Sequence, residues 1–124
     1  MLRRTILLMI AGASGTLARY WLSGFVQRSS PYFPWGTLAV NGSGCFLFGL
    51  VWTLAEERML ISGETRIVLL VGFMGAFTTF STYMFETRQM IAASEWMLGA
   101  VNFAIENLAG FILLLLGTAL GRLI

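Results

Sequence analysis

The run Thr78-Thr79-Phe80-Ser81-Thr82-Tyr83 sets hydroxyls and aromatic rings side by side in an otherwise apolar stretch, just after Gly72 and Gly75. Glycines, paired β-branched threonines and Ser81-Thr82 are poor helix formers. A helix that breaks there frees backbone N–H and C=O groups, the parts from which ion sites inside membranes are built. The alternative is a kinked helix whose hydroxyls bond back to its own carbonyls. Phe80 and Tyr83 share a face if the helix resumes at Phe80, and Glu86, four beyond Thr82, lies beneath it. Asn41 is the second polar feature, with Thr37 four residues before it on the same face. It either makes an interhelical hydrogen bond or lines a path for a solute. Arg19 caps its helix, snorkels to the interface or attracts an anion. Glu106, four after Asn102, is either a proton-coupling carboxylate or one that pairs with an Arg or faces water.

These residue types suit binding and passage rather than covalent catalysis. The chain has no His and a single Cys, Cys45. A zinc site of Cys and His, a disulfide framework and a Ser-His or Cys-His nucleophile all lack their parts. Ser81 and Glu86 alone do not make an enzyme. Eight Arg against six Glu leave a net charge of +2, too small a surplus to suggest nucleic acid.

The elements that position these residues must lie in a bilayer. Of 124 residues, 57% are apolar and 11% charged, with mean hydropathy +0.79. A soluble domain carries about 25% charged residues, and a small one needs more polar surface, not less. Four spans follow, about 5–27, 35–55, 67–87 and 96–121, each near the roughly 20 residues a transmembrane helix needs. They are too long and too continuously apolar for barrel strands. Arg28 to Pro34, with Ser29-Ser30-Pro31, reads as a loop. Arg3-Arg4 followed by an apolar run and Ala11-Gly12-Ala13 imitates a signal peptide, but the run continues to Val26. Trp21, Trp35, Trp52 and Trp96 sit near span ends, as interface anchors do.

With four spans, the side holding both termini carries Arg3, Arg4, Arg58, Arg66 and Arg122, and the other carries Arg19, Arg28 and Arg88. The excess weakly favours cytoplasmic termini, and so even a balance permits insertion both ways. Small residues at helical spacing, such as Gly72 with Gly75 and Gly117 with Gly121, let helices approach closely, within one protomer or between copies.

Three pieces carry a resemblance: Gly12-Ala13-Ser14-Gly15-Thr16-Leu17-Ala18-Arg19-Tyr20, Gly36-Thr37-Leu38-Ala39-Val40-Asn41, and Gly72 through Thr82 with its Thr-Thr-Phe-Ser-Thr run. In order, spacing and length the chain resembles the Fluc (CrcB) family of small membrane fluoride channels along essentially its whole length. The resemblance implies an all-α membrane protein of the bacterial inner membrane, assembled as an antiparallel, dual-topology homodimer. It implies two fluoride pathways per dimer, passive export and no enzyme activity. It implies a structural sodium ion at the dimer centre, held by the backbone carbonyls of Gly75 and Thr78 of both protomers. Each pathway is then lined by Asn41, Phe80 and Tyr83 from opposite protomers. Ser81, Thr82, Thr37 and Glu86 resemble a polar track toward one mouth, and Arg19 matches the family's first-helix arginine. Position 83 departs from the family's Phe-Ser-Thr-Phe; the Tyr83 hydroxyl either covers the ring edge or supplies a new hydrogen bond.

The rival readings are a small proton-coupled antiporter of the multidrug-resistance type and a structural membrane subunit. The first needs a carboxylate in its first span, which this chain lacks. The second leaves Asn41 and the broken span unexplained.

Overall fold

The computed structural model describes residues 1–28 and 32–124. Of the predicted loop Arg28 to Pro34, Ser29, Ser30 and Pro31 lie outside the described residues. The described elements are all helical: α1 (Leu2–Gln27), α2 (Trp35–Glu56), α3 (Gly63–Ile67), a π-helical stretch (Val68–Met74), α4 (Gly75–Phe77), α5 (Phe80–Ala92) and α6 (Trp96–Leu123). Four helical units are long and apolar enough to cross a membrane; Gly63–Ala92, which joins α3 to α5, is the third and is bent.

α2 and α6 form the tightest pair because glycines open their contact. A methyl group at Gly49 would drive into the Leu114 carbonyl, and one at Gly117 into the Phe46 carbonyl. Gly121 lies against Thr53 in the same groove. The pair Gly117 and Gly121 therefore serves packing within the protomer. α1 covers the π-helical stretch, with Gly15 against the Phe73 carbonyl and Gly72 against Ala11. Val40, Leu70, Met74 and Phe77 form the small buried core where these helices meet. Many large apolar side chains elsewhere, such as Phe25, Phe111 and Leu116, face outward, as a membrane solvent allows.

Side chains close the connections. Gln27 at the end of α1 donates from Nε2 to the Phe33 carbonyl (3.0 Å) and accepts the Gly36 amide at Oε1 (3.0 Å). That satisfies one of the free N–H groups in the first turn of α2. α5 ends in a turn in which Ser94 takes a left-handed φ of 65°. At the end that holds both termini, Arg122 forks onto Glu57 (Nε to Oε2 2.7 Å, Nη2 to Oε1 3.1 Å) and Arg66 pairs with Glu56. The Arg122 guanidinium beside Glu57 holds that carboxyl below its ordinary range.

Candidate functional site

The third span breaks at Thr78 and Thr79, whose backbones are extended (φ −83°, ψ 157° and φ −147°, ψ 108°). Asn41 of α2 holds the break. Its Oδ1 accepts the Thr79 amide (2.8 Å), and its Nδ2 donates to the Thr79 carbonyl (3.2 Å). The side-chain amide thus replaces the helical acceptor that the Thr79 N–H has lost, as a break inside the membrane requires, and adds a second donor to the Thr79 carbonyl. Thr79 then caps α5: its Oγ1 accepts the Thr82 amide (3.3 Å) and donates to Thr82 Oγ1 (2.9 Å).

These bonds have a consequence for two carbonyls. In an unbroken helix the Thr79 amide would serve the Gly75 carbonyl, and the Thr82 amide would serve Thr78. Here Asn41 and Thr79 Oγ1 take those donors. The carbonyls of Gly75 and Thr78 are therefore released from their helical donors.

Asn41 has a further partner, Glu106 of α6, whose Oε2 accepts from Asn41 Nδ2 at 3.1 Å. Nearby, Thr37 Oγ1 donates to Glu86 Oε1 at 2.8 Å. A third chain of bonds ties α5 to α6: Thr87 donates to the Tyr83 carbonyl (2.9 Å), and Asn102 Nδ2 donates to Thr87 Oγ1 (2.8 Å). Asn107 Nδ2 donates to the Tyr83 hydroxyl at 2.8 Å. The Tyr83 hydroxyl thus gains a hydrogen bond. Its ring stands edge-on to Phe80, with centroids 5.6 Å apart at 72°.

Three cavities hold most of the predicted site residues, and Thr79 at the break lines two of them. One of about 370 Å³ brings together Asn41, Cys45, Thr79, Phe80, Tyr83 and Glu106. Another, about 410 Å³, holds Thr37 and Glu86 with Gln27 and Gln89. The third, about 580 Å³, holds Arg19, Thr37, Thr79 and Thr82. Asn41, Phe80 and Tyr83 thus converge on one space, whereas Thr37, Glu86, Arg19 and Thr82 lie in the other two. Ser81 borders none of the three; it is exposed beside Thr79, 3.5 Å between hydroxyl oxygens. Arg19 does not cap its helix, which runs on to Gln27, and it makes no ion pair among the described residues.

Sequence reasoning passed over Thr87 and Asn107. Thr87 stands four residues after Tyr83, a spacing that hints at its bond to the Tyr83 carbonyl. Nothing in the sequence pairs Asn107 with Tyr83, because that contact joins two helices.

Residues 6–118 match the family described as "CrcB-like protein, Camphor Resistance (CrcB)". The chain is 54% identical over 116 residues to a protein of Nitrosococcus oceani named "Fluoride-specific ion channel FluC", covering 93% of each chain. It is 53% identical over 120 residues to one of the same name in Desulforapulum autotrophicum, covering 96% of each. It is 52% identical over the full length of both chains to another in Solidesulfovibrio magneticus.

Proposed function

The chain belongs to the CrcB family, and from that premise we propose that it is a fluoride-selective channel through which the anion crosses the membrane passively. The observation that carries this reading is the break itself: Asn41 clamps an extended Thr79 at bilayer depth, beside a cavity edged by Phe80 and Tyr83.

Fluoride is small and strongly hydrated, and stripping it bare in a low dielectric costs on the order of tens of kcal/mol. A path must replace water with close donors. Thr82 accepts from Thr79, so its own hydroxyl hydrogen remains for a passing anion. Ser81 offers a second exposed hydroxyl. The rings of Phe80 and Tyr83 present positive edges, which attract an anion without holding it fast. Arg19 borders the cavity shared with Thr82 and supplies positive potential at a distance from the narrow part. A larger, more weakly hydrated anion such as chloride gains less from donors at such close range.

Two copies in antiparallel arrangement complete the site. One protomer leaves Phe80 72% exposed, with the hydroxyls of Ser81 and Thr82 beside it at membrane depth. Irregular backbone and hydroxyls there need protein cover. The near balance of five Arg against three supports insertion in both orientations. Two such breaks bring two fluoride pathways and one shared centre. The released carbonyls of Gly75 and Thr78, contributed by both copies, fit a structural sodium ion, a hard cation that takes oxygen ligands. When bound, that ion ties the two breaks together and is not transported.

Ion efflux from liposomes that contain the purified chain, under a valinomycin-clamped potassium gradient, tests the reading. Rapid fluoride efflux with no chloride efflux is expected. Equal efflux of both anions, or fluoride efflux only with an imposed proton gradient, overturns it.

A further inference from the structure

Glu106 is out of keeping with an anion path. Its side chain is buried (7% exposed) in the wall of the cavity that Asn41, Phe80 and Tyr83 line. Oε2 accepts from Asn41 Nδ2, and Oε1 is buried with no hydrogen-bond partner. No Arg lines that cavity, and among the described residues no ion pair includes Glu106. The ionisable groups that face it are Cys45 on α2, and Tyr83 and Glu86 on α5, none of which is a cation. A carboxylate buried without a counter-ion is costly, and a chain that keeps one at membrane depth generally uses it.

The bond to Asn41 points to the use. Asn41 Nδ2 has two hydrogens, and both are engaged: one on the Thr79 carbonyl, the other on Glu106. The first bond ties α2 to the break. The second is made to an anion that the chain itself carries. We propose that Glu106 is a tethered competitor: its carboxylate sits where a permeating anion would meet Asn41, and it governs how readily fluoride enters this cavity. Fluoride gains the second Nδ2 hydrogen only when Glu106 turns aside or is neutralised. Glu106 thus sets the entry of fluoride into the pathway. This inference rests on the fluoride-channel reading above.

Fluoride efflux from liposomes over pH 5.5–8, with the leak of protein-free liposomes subtracted, tests it on the wild type, Glu106→Gln and Glu86→Gln. Glu106→Gln keeps the shape and removes the charge. It is expected to pass fluoride about tenfold faster than wild type at pH 7.5, the scale of one charge-assisted hydrogen bond. That advantage should close toward pH 5.5, because a proton on wild-type Glu106 has the same effect as the substitution. The Glu86→Gln variant should keep the wild-type slope, whatever its rate. A folded Glu106→Gln that is no faster than wild type at pH 7.5, or that keeps the wild-type slope, overturns the inference. If Glu106→Gln does not fold, the wild-type profile decides: acceleration on acidification that survives Glu86→Gln supports it, and a flat profile overturns it. Fluoride efflux with a flat profile removes this inference alone. No fluoride efflux at any pH removes the channel reading and this inference with it.

Discussion

Asn41 and Thr79 are 38 residues apart, yet the side chain of one completes the backbone of the other. The carboxamide oxygen takes the Thr79 amide at 2.8 Å, and the carboxamide nitrogen gives to the Thr79 carbonyl at 3.2 Å. This pairing lets a helix open at membrane depth without leaving the Thr79 amide bare. It also ties α2 to the point where α4 ends and α5 begins.

Asn41→Ala should therefore act on stability as well as on flux. Removing the amide leaves the Thr79 N–H without a protein partner, a cost of about 1–3 kcal/mol. Thermal unfolding in detergent, followed by Trp fluorescence, would show a clear drop in midpoint, and fluoride efflux would fall with it. A variant within about 0.5 kcal/mol of wild type would mean that the clamp is not what holds the break.

Tyr83 and Asn107 should be energetically coupled. Asn107 donates to the Tyr83 hydroxyl at 2.8 Å and to the Phe103 carbonyl at 2.6 Å, which sets the tilt of the Tyr83 ring. Tyr83→Phe strands an Asn107 donor, and Asn107→Leu leaves the hydroxyl only its long bond to the Phe103 carbonyl (3.5 Å). The double variant removes both partners and should recover about 1 kcal/mol relative to the sum of the singles. A strictly additive cycle would leave the ring positioned by packing alone.

The glycines of the α2–α6 contact differ from those on the outer faces. Gly117→Ala pushes a methyl into the Phe46 backbone and should destabilise by about 1–3 kcal/mol. A methyl at Gly24 would meet nothing within 4 Å, so Gly24→Ala should be neutral or slightly stabilising through helix propensity. Unfolding midpoints that place the two variants together would contradict this assignment of the contact.

The fork between Arg122 and Glu57 predicts an acid-sensitive increment of stability. Arg122 lowers the Glu57 carboxyl below its unfolded value, so the contribution is present above the ordinary carboxylate range. It is lost as pH falls through the lowered folded value. Both groups are exposed, which keeps the effect small and salt-dependent. At low salt the wild type should melt above Arg122→Gln near neutral pH, and the gap should close in acid. A gap that persists at pH 2 would point to packing by the Arg122 stem.

The sequence alone determined the solvent and the parts. Charge scarcity and four apolar stretches leave no soluble solution for this chain, because a small domain without polar surface cannot face water. The two glycines and the Thr-Thr-Phe-Ser-Thr run placed the weak point of the third span, since helix propensity is a local property. Asn41 stood out because an amide inside a span must find a partner. Which partner it finds is a tertiary matter. Only the packing of α2 against the third span and α6 brought Asn41 to Thr79 and Glu106, and only that of α5 against α6 paired Tyr83 with Asn107; the same packing divided the predicted pathway residues other than Ser81 among three cavities. Contacts between helices depend on how the helices cross, and periodicity along one helix carries no record of that. The same holds for Gly117 and Gly121: their spacing allowed contact within a protomer or between copies, and the α2–α6 groove decided it.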